Sequence, residues 1–348
     1  MARDGLDGLI VSHPANVRWL SGYTGSNGVL CLTADAGRLL TDFRYATAVE
    51  PLNEAWEIEV VDQDLVGALA GNFTELTGGG RVGFEAARLP YLAWRTLEDA
   101  ARSAGVELVP VVGLFEPLRA VKDEGEIERI REGARLTDEV YGELIEHGLA
   151  GRRERDVAWW IRTRLRELGA EDTSFDVIVA SGAESAVVHA HPRDTEIPRG
   201  SLVVLDLGAR LDGYCSDCTR TLATGPTSAE MKEVYELVAR AQAECMSMVE
   251  PGRPCLEVHA RAWAIISEAG YGDYFNHGTG HGVGLEIHEE PRFRDGFGGT
   301  LEPGNVVTVE PGVYLPDRFG VRIEDLVVVT EEGHEVLTQA PKSLMDVG

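Results

Sequence analysis

The chain has 348 residues, 44% hydrophobic and 26% charged, enough for two domains and a sizeable core. Its 58 acidic residues outweigh 32 basic ones, for a formal charge of −26. Such a surface repels phosphate backbones and anionic lipid, so neither nucleic acid nor membrane is an expected partner. The N-terminal MARDGLDGLIVSHP, with Asp4 and Asp7 and no long apolar centre, does not read as a signal peptide, and no run of about 18 apolar residues occurs. Five scattered cysteines, an odd count, point to a reducing compartment, the cytoplasm, rather than a disulfide framework.

In chain order, β-branched runs at Gly8–Val11, Gly28–Thr33, Arg38–Thr41, Ile58–Val61, Arg81–Phe84 and Glu107–Val111 alternate with helical stretches at Phe43–Leu52, Leu65–Leu76 and Tyr91–Ala104. This spacing predicts a small α/β layer domain over residues 1–116. The charged segment EPLRAVKDEGEIERIREGARLTDEVYGELIEHG comes next, opened by Pro117 and a Lys122–Asp123–Glu124 turn. Ile127, Ile130, Ala134, Val140 and Leu144 recur in it at helical spacing, so it reads as one exposed helix that starts a second domain, 117–348. That domain continues with a helix at Glu154–Glu167 and strands near Asp176–Ala180, Ser201–Asp206 and Tyr214–Ala223. Helices at Ala229–Val249 and Leu256–Ala269 follow, then strands at Asn305–Glu310, Gly312–Leu315 and Val321–Val329. Helices followed by antiparallel-looking strands predict an α+β domain rather than a doubly wound sheet, and no solenoid repeat is present.

Five pieces carry candidate chemistry. VVLDLGARLDGYCSDCTRT presents Asp206 and Asp217 across a hairpin; HGTGHGVGLEIHEEPR holds His277, His281 and His288 in a glycine-rich loop; VVTVEPGVY ends a strand at Glu310; GVRIEDLVVV places Glu324; ASGAESAVVHAHP carries His189 and His191. A carboxylate at the end of an apolar strand is costly to bury unless paired or bound to metal. Glu324 has strand residues on both sides and Arg322 two positions away on the same face, so an ion pair competes with a metal role there. Four carboxylates and an imidazole in one domain suit two divalent cations of Mn, Co, Fe or Zn type, whose four positive charges they balance. Cys215 and Cys218 form a CxxC, but in GYCSDCTRTLAT, read as one strand, they point to opposite faces and cannot share a metal. GTGHGVG fails the dinucleotide fingerprint, since Val283 stands where the third glycine belongs, and neither a GxSxG elbow nor a phosphate-binding loop occurs.

Asp206, Asp217, His281, Glu310 and Glu324, in the contexts DLG…SDxTRT, GHGVGLEIHE, VEPG and RIED, resemble the ligand set of the Xaa-Pro peptidases, prolidase and aminopeptidase P, relatives of methionine aminopeptidase in the pita-bread family. NVRWLSGYTGSNG and LLTDFRYA resemble the creatinase/prolidase N-terminal domain less specifically. The resemblance implies an α+β pita-bread catalytic domain behind a smaller α/β domain. It implies that Asp206 chelates one metal, His281 and Glu310 the other, and that Asp217 and Glu324 bridge them. A hydroxide between the ions would then attack the carbonyl before proline, with Glu310 carrying the proton. His189 and His288 match histidines on the substrate side, and His277 a supporting position near the substrate. Phe175 and Tyr214 are candidates for the pocket lining or for the core, while His191 and His259 read as an exposed loop histidine and a helix-face histidine. The family further implies peptide substrates with proline second, manganese as the metal, and a homodimer in which the N-terminal domain of one subunit approaches the other's active site. Arg292 could clamp a dipeptide carboxylate, as prolidase requires, or pair with Glu289 or Glu290 at the surface. TGSNG and TDFRY look more like aminopeptidase P, which acts on longer peptides. Prolidase is the reading preferred. A creatinase-like enzyme or a non-catalytic binding module would have lost ligands that are all present here, and a methionine aminopeptidase would usually lack such an N-terminal domain.

Overall fold

Gly8–Val11 (β1), buried along its whole length, lies at the centre of the first unit's sheet in the computed structural model, which describes residues 5–348; Asp4 therefore lies outside the described residues. Two compact units divide between Phe115 and Glu116. In the first, β1 is followed by α1 (Pro14–Ser21), β2 (Gly28–Thr33), β3 (Gly37–Asp42), β4 (Glu57–Val61), α2 (Leu65–Gly71), α3 (Phe73–Thr77), β5 (Arg81–Glu85), α4 (Tyr91–Ala104) and β6 (Glu107–Val111). The strand order is β4-β3-β2-β1-β5-β6. β1 runs parallel to β5 and antiparallel to β2. Alternation along β1 sends Ile10 to a cluster with Leu69, Phe73, Leu76 and Leu97, and sends Leu9 and Val11 to one with Val17, Tyr23 and Val49.

Two helical expectations in this unit are corrected. Phe43–Leu52 forms two single 3₁₀ turns, Phe43–Tyr45 and Glu50–Leu52, because Asp42 accepts the Arg44 N–H as a cap and Pro51 has no N–H to continue a helix. Leu65–Leu76 is broken at Asn72, whose backbone (φ −120°, ψ 32°) leaves the helical region. The pattern also missed α1, which begins at a proline in its first turn; the Glu85 carboxylate accepts the N–H groups of Ser12 and His13 ahead of it.

The second unit runs α5 (Glu116–Ala120), α6 (Glu124–His147), α7 (Glu154–Glu167), β7 (Asp172–Thr173), β8 (Ile178–Ser181), β9 (Leu202–Leu207), β10 (Ala209–Leu211), β11 (Tyr214–Cys215), β12 (Cys218–Ala223), α8 (Ala229–Met246), α9 (Cys255–Glu268), β13 (Gly280–Gly282), β14 (Glu289–Phe293), β15 (Val306–Val309), β16 (Gly312–Leu315), β17 (Phe319–Arg322), β18 (Asp325–Val329) and β19 (His334–Val336). Its larger sheets are β12-β9-β8 and β14-β13-β15-β18-β19, with small ones of β11-β10-β7 and β16-β17. The architecture is α+β, as expected. α6 and α7 bury Val140, Leu144, Val157 and Ile161 against Val179, Val203 and Leu205. α8 and α9 bury Val238, Ala262 and Ile266 with Val307, Val313 and Val327. The segment read as one exposed helix is two, since Asp123 caps α6 in a reciprocal box with Glu126 and so ends α5's run before it. Nor is α6 exposed: Ile130, Ala134, Val140 and Leu144 are fully buried.

Three strand expectations also change, and each change serves the site. Tyr214–Ala223 is β11 and β12 with Ser216 and Asp217 between them, and Gly208 admits the Ser216 carbonyl at the break, since a Cβ there would lie 1.9 Å from it. Cys215 and Cys218 accordingly sit in different apolar clusters, both as free thiols. Val321–Val329 breaks at Ile323 and Glu324, where the chain passes from the β16-β17 pair to the larger sheet. The glycine-rich loop contains two strands, β13 and β14, paired antiparallel. No described helix is long and apolar enough to cross a membrane.

Candidate metal centre

Four strand ends and the middle of a fifth strand deliver the acidic and imidazole groups to one place. Asp206 sits near the end of β9, opposite Thr219 of β12, and Asp217 lies in the break just before β12. Glu324, in the break before β18, donates its N–H to the Thr219 carbonyl (3.1 Å) and accepts the Thr219 hydroxyl at Oε2 (2.6 Å). His281 occupies the middle of β13, its N–H donating to Thr308 Oγ1 (3.1 Å). Glu310 follows β15 and donates its N–H to the Thr279 carbonyl (2.7 Å). Asp217, His281 and Glu324 each offer a ligand atom within 4.8 Å of the others, and His281 Nε2 is 3.3 Å from Glu310 Oε1. All five groups line one cavity of about 360 Å³.

The electrostatics of this cluster call for cations. Burial, then the charges of Glu324, Asp206 and Glu310, push the Asp217 carboxyl well above the usual carboxylate range. Burial followed by Glu310 and Asp206 does the same to Glu324, and burial pushes Glu310 up to about 7, Asp206 adding and Arg322 opposing. Asp206 Oδ1 is buried without a hydrogen-bonding partner. The His281 tautomer is set by its neighbour: Nδ1 lies 3.0 Å from the Gly282 carbonyl, which can only accept, so Nδ1 carries the hydrogen. Burial, with His288 next, lowers its imidazolium pKa to about 3, so Nε2 presents a lone pair to two carboxylates. A lone pair and carboxylate oxygens facing one another repel, and divalent cations convert that repulsion to attraction. The donor set fits a metal centre.

Arg322, weighed as a partner of Glu324, pairs elsewhere. Its Nη2 donates to Asp206 Oδ2 (2.6 Å), Nε to Thr219 Oγ1 (3.0 Å), and Nη1 to the Val188 carbonyl (3.2 Å) and the Tyr314 hydroxyl (3.0 Å). Tyr314 donates in turn to His277 Nε2 (3.0 Å), because His277 Nδ1–H is given to the Gly278 carbonyl (2.7 Å). Both His277 nitrogens are thus spent inside the protein, so at this cavity it acts through the face of its ring. Sequence reasoning missed Tyr314, Thr219 and Arg322 as parts of the site; an arginine and a tyrosine in β runs carry no spacing signal.

Phe175, His189, His288 and Arg292 line the same cavity, and exposed His191 lines it too. Tyr214 does not. It belongs to a core cluster with Ile127 and Ile130, and its hydroxyl donates to Glu126 Oε1 (2.8 Å); this packing against α6 makes it a core residue and corrects its placement as a lining residue. His259, half-buried on α9, meets Thr279 Oγ1 at 2.9 Å. Arg292 lies across β13 from His281, 3.5 Å from Glu290 through its Nε. Glu289 is engaged instead by Arg119 and by Lys122 Nζ (3.0 Å), both buried, and this cluster pins the loop that carries His288.

Fold and donor set together define a pita-bread metallopeptidase with a creatinase-type N-terminal domain. The sequence pattern of "Metallopeptidase family M24" matches residues 128–331, and that of the "Creatinase/Prolidase N-terminal domain" matches residues 1–121. The chain is similar to "Uncharacterized peptidase YqhT" of Bacillus subtilis, 40% identical over 98% of this chain and 96% of that one. It is similar in structure to the Xaa-Pro dipeptidase from Bacillus anthracis, with a TM-score of 0.94 and 38% identity over 99% of this chain and 96% of the other. The X-Pro aminopeptidase from Thermotoga maritima also superimposes, at 0.90 and 33% identity over 99% and 98%. The chain belongs to metallopeptidase family M24.

Proposed function

We propose that this protein is a dinuclear-metal Xaa-Pro peptidase that releases an N-terminal residue from proline, dipeptides being its preferred substrates. One observation carries the reading: four carboxylates and a neutral imidazole face one another on the floor of a cavity, with arginine at its rim. Asp206 would hold one ion, His281 and Glu310 the other, and Asp217 and Glu324 both. Two ions, manganese in this reading, would supply carbonyl polarisation and water activation at neutral pH. The chain's own groups do the rest. Glu310 accepts a proton and returns it to the departing proline nitrogen. His189 and His288 donate hydrogen bonds to the substrate as negative charge develops on its carbonyl oxygen. His277, held by Tyr314 and Gly278, and Phe175 shape the wall, and Arg292 takes the proline carboxylate. The protein would work in the cytoplasm as a homodimer, with domains 1–116 and 117–348.

Cleavage of longer peptides, as by an aminopeptidase P, is the second reading, favoured by the likeness to the Thermotoga protein. The test is to load the purified protein with manganese and assay Ala-Pro, Ala-Pro-Gly and Ala-Ala. Faster release from Ala-Pro than from Ala-Pro-Gly, with Ala-Ala resistant, supports the first reading; the reverse order supports the second, and no Xaa-Pro cleavage refutes both.

A further inference from the structure

The rim of the cavity carries a cation that this reaction scheme leaves unused. Arg294 follows β14, in which Glu290 and Arg292 are the less buried residues between buried Glu289, Pro291 and Phe293. Period-2 alternation therefore puts Arg294 on the face of Arg292. Both arginines line the cavity, and both guanidinium groups lie over the Phe297 ring, 5.8 and 4.8 Å from its centroid. They differ in their other partners. Arg292 reaches Glu290 and donates to the His288 carbonyl (3.3 Å). Arg294 is exposed and, among the described residues, has no carboxylate within ion-pairing distance.

With 58 acidic residues against 32 basic ones, an arginine at a binding cavity without an acidic partner is available to an anion brought by the substrate. The layout of the cavity says which end of a peptide that is. With the scissile bond held over the metal-ligating groups of the floor, the chain beyond proline, which ends in the carboxylate, is directed to the arginine-bearing rim. Residues two apart on a strand are about 7 Å apart, and each residue of an extended peptide advances about 3.4 Å. With long, flexible arginine side chains, neighbouring cations can then serve carboxylates on successive substrate residues.

We propose that Arg294 is a specificity-determining residue that binds a carboxylate one residue beyond the proline, which rests on the Xaa-Pro reading above. That carboxylate is either the C-terminus of a tripeptide or an acidic side chain at its third position. Metal-loaded protein is assayed on Ala-Pro-Gly, Ala-Pro-Gly-amide and Ala-Pro-Asp-amide, before and after Arg294→Ala and Arg294→Lys. The readout is the ratio of kcat/KM for each carboxylate-bearing peptide to that for Ala-Pro-Gly-amide. Arg294→Ala should lower one of these ratios about five- to tenfold, through KM, and lysine should restore most of it. A fall for Ala-Pro-Gly identifies the chain terminus as the source, and a fall for Ala-Pro-Asp-amide the side chain. Ratios unmoved within about twofold, or an equal loss on all three peptides, overturn the assignment while leaving Xaa-Pro cleavage standing. A parent protein that cleaves Ala-Pro but none of the three overturns the assignment alone, and one that cleaves neither Ala-Pro nor any of the three removes both.

Discussion

Tyr314→Phe isolates one hydroxyl in the wall of the site. The side chain is buried, and its oxygen accepts from Arg322 Nη1 and donates to His277 Nε2, each at 3.0 Å. His277 Nδ1–H is already committed to Gly278, so in the variant Nε2 keeps a lone pair with no donor. Arg322 keeps Asp206, Thr219 and the Val188 carbonyl as acceptors but loses the acceptor of one Nη1 hydrogen. The variant therefore leaves the His277 lone pair and one Arg322 N–H without the hydroxyl, while the phenylalanine ring keeps the packing. The expected cost is about 1–3 kcal/mol of stability, read by urea denaturation of the metal-free protein. In a His277→Phe background the acceptor is absent, and Tyr314→Phe should cost about 1 kcal/mol less than in the parent. A variant as stable as the parent, or the same loss in both backgrounds, would refute the hydrogen-bond chain from Arg322 to His277.

Asp217→Asn and Glu324→Gln should each lose bound metal and activity together, measured by elemental analysis beside turnover; either variant keeping two ions and near-normal rates contradicts the ligand assignment. His288→Ala and His189→Ala should retain the metal and lower kcat by about 10²–10³-fold; metal loss there would make them ligands instead. Arg292→Ala should weaken Xaa-Pro kcat/KM by about tenfold, the low end for a charge-assisted bond because the side chain is partly exposed, and longer peptides much less; equal effects on both exclude a carboxylate clamp. Asp172 takes bidentate hydrogen bonds from Arg162 (2.8 and 2.7 Å), which pull its carboxyl down to about 2, below its unfolded value of about 3.9. A depressed carboxylate stabilises above the unfolded value and loses that contribution as pH falls through the folded one. Solvent around the arginine screens the pair, so Asp172→Asn should cost about 1 kcal/mol or less at pH 7. The urea midpoints of parent and variant should converge between about pH 4 and 2, and a gap that widens on acidification would exclude the pair as its cause.

Local pattern made the elements legible wherever one period dominated. Glu154–Glu167, Gly28–Thr33 and Glu107–Val111 could be read to the residue, because amphipathic alternation and flanking turn residues act within a few positions. It failed where a single residue interrupted a run, as at Pro51, Asn72 and Asp123. It failed also between Cys215 and Cys218, where a continuous β-like run hides a break whose Ser216 carbonyl is admitted by Gly208, a residue outside the run. Asp206 and Glu310 were conspicuous in the sequence as carboxylates after apolar runs, and the full set with Asp217, His281 and Glu324 was legible through its motif contexts, which resemble those of the Xaa-Pro peptidases. Their convergence was not, for they come from separate strands and strand breaks across more than one sheet. Nor was the choice of Asp206 over Glu324 as the partner of Arg322, since both acids lie within reach of any sequence argument. That choice depends on where β17 ends and on the Thr219 hydroxyl already bound to Glu324. Residue chemistry is written in the sequence, but which groups meet, which tautomer faces them and which arginine is left for a substrate depend on distances that only the packed chain sets.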